Sequence, residues 1–172
     1  MMRRLAPVLV VFLLAIAAGC DGGSEEVAPQ PPPTTTTSET GKAALERAVR
    51  SALTANRRLS VYVLWNNTIP PWAERSTRGP ALAGLRTAAA DRRKRAIRVR
   101  LLSDRFQIVS IRIDPSYAEA TAVARGRQRV RSYRLNRKPV GRSEELNERA
   151  RIELRRLGRT NRFVVWRVEL LD

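Results

Sequence analysis

The 172 residues carry 33 Lys+Arg against 16 Asp+Glu, a net charge of +17, with one cysteine and no histidine. That inventory excludes Ser-His-Asp triads, His-rich zinc sites and a disulfide within the chain, and leaves chemistry to Asp, Glu, Tyr, Lys and Arg. All cations but Lys42, Lys94 and Lys138 are arginine, a balance that points to anionic partners and also matches a GC-rich codon bias.

In chain order, Met1-Met2-Arg3-Arg4 is followed by an uncharged apolar run, Leu5–Ala18, and then Gly19-Cys20. The run has the length of a signal h-region and falls short of the ~20 apolar residues of a spanning helix. Ala17-Ala18-Gly19-Cys20 resembles the lipobox of bacterial lipoproteins, with Ala17 where leucine is preferred. The resemblance implies that residues 1–19 are a removed signal peptide and that Cys20 carries lipid. It further implies that the mature chain sits at the outer face of the cytoplasmic membrane. Without Arg3 and Arg4, 31 basic residues face 16 acidic ones, a charge of +15. Export argues against nucleic acid as the partner and favours anionic lipid headgroups, an anionic wall polymer or an envelope protein.

Residues 20–42 read as the lipidated cysteine and a tether. Gly22-Gly23, Pro29, Pro31-Pro32-Pro33 and Thr34–Thr37 offer almost nothing to a core, so the stretch is expected to be extended and flexible. Residues 43–172 carry 30 basic and 12 acidic side chains, +18, and suffice for one domain.

Leu45, Ala48, Val49, Ala52 and Leu53 recur at helical spacing and predict a helix from about Lys42 to Trp65, with Arg47, Arg50, Arg57 and Arg58 off its apolar stripe. Pro70-Pro71 cannot continue it. A second helix is predicted from about Pro80 to Ala96, with Arg92-Arg93-Lys94-Arg95 in its last turns, where the helix dipole favours cations. From Ile97 the period drops to two. Ile97–Leu101, Phe106–Ile113 and Tyr117–Arg134 read as strands, with a turn at Asp114-Pro115-Ser116 and a bulge expected at Gly126. Glu144–Leu157 fits both periods, and the strand reading is adopted. Gly158–Asn161 then makes a hairpin loop to Phe163–Leu171, which is expected to set Val164, Trp166, Val168 and Leu170 on one face.

The order is helix, helix, then four to five antiparallel strands: an α+β fold. This order, with the closing hairpin Ala150–Leu154 to Val164–Val168, resembles the nuclear transport factor 2-like superfamily, with Trp72–Thr77 as the candidate for its third short helix. The resemblance implies N-terminal helices packed on a curved sheet that forms a cone, and homodimers through the open sheet face. It is compatible with both binding proteins and small lyases or isomerases.

No catalytic residue, metal ligand or cofactor site is expected. Tyr62, Tyr117, Tyr133, Asp91, Asp104 and Asp114 match no catalytic pattern, though a Tyr/Asp pair in the cone is the alternative enzyme reading. Tyr62, Trp65, Trp72 and Trp166 are candidate pocket-lining residues. Arg125, Arg127, Arg129 and Arg131 alternate with other residues and share one strand face, a candidate anion-binding stripe. Glu148 and Glu153 are expected to supply its neutralising acids. The function expected is that of a non-catalytic binding or scaffolding module at the cell envelope.

Overall fold

The structure, a computed structural model, describes residues 36–172, and their side chains from residue 41. The export signal, Cys20 and the tether up to residue 35 lie outside the described residues. Two helices, α1 (Thr36–Asn66) and α2 (Gly79–Lys94), precede four strands, β1 (Ile97–Ile113), β2 (Glu119–Arg134), β3 (Pro139–Arg156) and β4 (Phe163–Leu171). The strands pair antiparallel in the order β1-β2-β3-β4, a curved, unclosed sheet with the helices packed on it. No helix among the described residues is long and apolar enough to cross a membrane.

Helix α1 begins at Thr36 rather than near Lys42. It buries Leu45, Val49, Ala52, Leu53, Leu59, Val63 and Leu64. Arg57, expected off the stripe, is only 4% exposed. It follows Leu53 by four residues and precedes Ser60 and Leu64 by three and seven, which is a core-facing position. The helix ends on Asn67 at φ +56, whose amide donates to the Val63 carbonyl at 2.9 Å. The expected short helix is a single 3-10 turn, Ala73–Arg75.

Gly79 opens α2 at φ +55 against the ring of Trp166, and a Cβ there would lie 2.8 Å from ring carbons. Both the left-handed backbone and the close approach require glycine. The cation run at the end of α2 is not all surface. Arg92 is 2% exposed and donates to Asn67 Oδ1 (3.0 Å) and the Val63 carbonyl (3.2 Å), so it seals the C-terminal end of α1.

The long strands bend through register shifts between Leu101 and Ser103 and between Ile108 and Ser110 in β1, and between Val130 and Ser132 in β2. The bulge expected at Gly126 is absent: Gly126 pairs regularly with Phe106 and Glu148. It instead continues a row of small inner-face residues, Ala120, Ala122 and Ala124, against which Val49 and Leu53 of α1 pack. The one-face expectation for β4 also fails. Leu154 pairs with Val165 and Glu153 with Arg167, leaving Trp166 as the extra residue of a bulge. Val165 rather than Val164 therefore shares a face with Val168 and Leu170. The adopted strand reading of Glu144–Leu157 holds as far as Arg156, and β3 starts earlier, at Pro139.

Three apolar clusters fill the space between helices and sheet. One joins Leu45–Leu53 of α1 to the alanine row, Ile152, Leu154, Phe163 and Val165; one lies between the helices around Leu59, Val63, Leu82 and Leu85; one joins Leu64 to Val99 and Val130.

Candidate functional site

Strand alternation sorts β2 cleanly. Ala120, Ala122, Ala124, Gly126, Gln128 and Val130 are buried, while Arg125, Arg127 and Arg129 are exposed and Arg131 is half-buried. The arginine stripe therefore exists as one outer row. Pairing widens it across three strands: Arg105 stands opposite Arg127, Arg100 opposite Arg131, and Arg149 opposite Arg125. Like charges placed directly opposite repel at strand spacing.

Four acids on this face are already engaged. Glu145 accepts from Arg127 at 2.8 Å, a bond that holds the Glu145 carboxyl below its usual range. Glu119 pairs with Arg155 at 3.3 Å, Glu169 with Arg151 at 3.5 Å and Glu153 with Arg167 at 3.9 Å. Arg129 donates to Ser143 Oγ at 3.0 Å. Among the described residues no carboxylate pairs with Arg100, Arg105, Arg125, Arg131 or Arg149. The ion pairs thus gather mostly on the β3/β4 side of the outer face, and the unpaired arginines run from β1 across β2 to Arg149 of β3.

Two adjoining depressions lie along this run of arginines. A shallow trough of about 480 Å³ is lined by Arg105, Gln107, Arg125, Arg127, Asn147 and Arg149, with Leu171 and Asp172 at one end. A second, of about 270 Å³, shares Arg105 and Arg127 and adds Ser103, Arg129 and Glu145. Arginine forks and amide side chains over such a trough suit oxyanions with several acceptor oxygens.

Neither expected acid neutralises the stripe. Glu148 pairs in register with Gly126 and so belongs to the inner row. Its Oε2 is buried without a hydrogen-bond partner, and burial pushes its carboxyl up to about 7. Glu153 serves Arg167. The acid that reaches the stripe, Glu145, lies on the parity that faces outward; only the strand register reveals which parity that is.

The inner face carries its own polar band. Arg57 of α1 forms a buried ion pair with Asp104 of β1, and burial lowers the Arg57 guanidinium to about 9. Beside Asp104 in register is Gln128, 1% exposed, with neither amide atom hydrogen-bonded among the described residues. This chain's own side chains thus occupy the middle of the inner face.

The candidate pocket aromatics are dispersed. Tyr62 meets Trp72 edge-on at 5.9 Å, and Trp65 meets Tyr133 at 5.8 Å with Arg98 over its ring at 5.8 Å. Tyr62 and Trp65 share a groove of about 520 Å³ with Val61, Leu64, Val99 and Leu101. Trp166 lies apart, between Gly79 and the Arg155 guanidinium 4.1 Å above its ring. The aspartates are likewise engaged elsewhere: Asp91 with Arg95, Asp104 with Arg57, and Asp114 with Ser116 in the β1–β2 turn.

No protein-family model matches the chain, and no curated protein matches it in sequence. Among solved structures it is similar to the intermembrane space region of the chloroplast protein ARC6, with a TM-score of 0.55 and 11% identity over 73% of this chain and 95% of that one. That likeness shows the fold alone: an α+β domain with helices packed on an antiparallel sheet. A structure from Catenulispora acidiphila aligns with a TM-score of 0.40 and 20% identity over 76% of this chain and 94% of that one, too low a score to carry an argument.

Proposed function

We propose that this chain is a lipid-anchored, extracytoplasmic binding module without catalysis of its own, held at Cys20 to the outer face of the cytoplasmic membrane. Its single domain is a nuclear transport factor 2-like cone whose outer sheet face docks on an anionic membrane surface. Support for the anchor is the placement of the one cysteine after Ala17-Ala18-Gly19. The helix, helix, four-strand order over a curved sheet supports the cone. The docking reading is carried by one observation: Arg100, Arg105, Arg125, Arg131 and Arg149 share a face on which Glu119, Glu145, Glu153 and Glu169 each already have an arginine partner. Residues 21–35, which precede α1, would serve as a tether long enough for that face to lie flat on the bilayer that holds the lipid.

Basic residues near an anionic bilayer contribute about 1 kcal/mol each. Replacing Arg105, Arg125 and Arg149 with glutamine one at a time should therefore weaken binding of residues 21–172 to phosphatidylglycerol vesicles about fivefold per substitution. Salt at ~1 M, where the Debye length is about 3 Å, should abolish it. Equal binding to neutral phosphatidylcholine vesicles would overturn the docking reading. The anchor is tested separately by fractionating cells: a Cys20→Ser chain that stays membrane-bound and fully processed would remove the lipoprotein reading and leave the vesicle result standing.

A further inference from the structure

We infer that the groove between the C-terminal half of α1 and the start of β1 is a binding site for an anionic amphiphile, a molecule with an apolar chain or ring and one acidic head. The groove adjoins the arginine face and shares Arg100 with it, while its apolar walls and Arg137 lie outside that face. Its floor is apolar and buried: Leu64 is 3% and Val99 7% exposed, and both belong to the cluster that also holds Val130. Its walls are Leu101, Trp65, Tyr62 and Val61, the last two 38% and 39% exposed. Trp72 meets Tyr62 edge-on from outside the groove lining.

The groove is preformed. Trp65 is held by its edge contact with Tyr133 and by the guanidinium of Arg98, so its ring need not be ordered when a ligand enters. At about 520 Å³ it falls within the size range of small-molecule sites, which combine apolar walls with a few polar groups. The charged groups here have one sign. Arg100 and Arg137 both line the groove, and neither has a carboxylate partner among the described residues. Arg137 is presented from the β2–β3 turn by a backbone at φ +64. An apolar trough with two unneutralised guanidinium groups beside it complements a tail joined to an acid. A neutral lipid would leave both cations unused, and a bare anion would leave the walls wet.

The test uses residues 21–172, which retain every residue of the three apolar clusters, with dodecyl phosphate below its micelle concentration as probe. Calorimetry should show one site per chain. Inorganic phosphate, which offers the head alone, and dodecyl maltoside, which offers a neutral tail, should each bind at least tenfold more weakly. The double variant Arg100→Gln/Arg137→Gln should lose about tenfold in dodecyl phosphate affinity, and Arg125→Gln/Arg149→Gln should lose nothing. Equal binding of dodecyl maltoside would reduce the groove to an apolar patch and overturn the inference. So would loss of binding in the Arg125/Arg149 variant with none in the Arg100/Arg137 variant, which would transfer the anion to the outer face. Binding of phosphatidylglycerol vesicles alongside failure of monomeric dodecyl phosphate would also overturn it, while leaving the membrane-docking reading intact.

Discussion

Arg57 and Arg125 are the same residue type on opposite faces of one sheet, and the sheet treats them differently. Arg57 is buried against Asp104 beneath α1, where desolvation works against its charge; Arg125 stands exposed, opposite Arg149, with no carboxylate paired to it among the described residues. Inside, a charge is tolerated only when a partner is supplied at close range. Outside, water screens repulsion so cheaply that a whole row of uncompensated arginines persists. The contrast teaches where function can reside: the inner charge is committed to the fold, and the outer charges are left over for something else.

The largest expected effect breaks the inner pair. Asp104→Ala leaves Arg57 buried and alone and should cost about 3–5 kcal/mol in urea unfolding, whereas the double change Arg57→Met/Asp104→Leu should recover most of that loss. If the single variant stays within about 1 kcal/mol of the parent, the pair is not structural.

Glu148 lies between the two regimes, on the inner row but half-buried. Its carboxyl rises from 4.5 to about 7 on folding, so the folded state holds its proton more tightly. Its contribution is fully present below about pH 4.5 and is lost as pH climbs through about 7. Discounted for partial exposure, Glu148→Gln should gain on the order of 1 kcal/mol at pH 8 and nothing at pH 4, as read from paired melting curves. A gain that is the same at both pH values would assign the effect to packing and not to the charge.

The smallest effect sharpens the outer side. Glu145→Gln frees Arg127 from its 2.8 Å partner. Stability should move by less than about 0.5 kcal/mol, as for exposed pairs. Vesicle affinity should instead rise about twofold to fivefold, because one more arginine joins the unneutralised row. Weaker vesicle binding in this variant would mean that Glu145 positions Arg127 for the anion.

The order of elements was legible because helical and strand periods are local. Leu45 to Leu53 recur at three and four, and Arg125, Arg127 and Arg129 alternate with buried small residues. The turn at Asp114 and the hairpin loop at Gly158 were legible for the same reason, since their residue types carry the turn geometry. Sequence puts Arg57 off the apolar stripe and Arg92 in a run of helix-end cations, and neither placement reveals their burial, because their partners lie far along the chain. Asp104 and Asn67 are 47 and 25 residues away, respectively. Sequence expects a bulge at Gly126, whereas extra residues stand at Leu102, Val109 and Trp166, since a glycine in a strand marks either a bulge or a close approach, and only packing distinguishes them.

By itself, then, the sequence determined the two helices, the antiparallel strands that follow them and the parity that sets four arginines in one row, all consequences of backbone period. Only the tertiary structure decided which arginines turn inward, which acid reaches the stripe and which cations remain unneutralised. Those depend on register between strands far apart in the chain, where a shift of one residue exchanges the two faces.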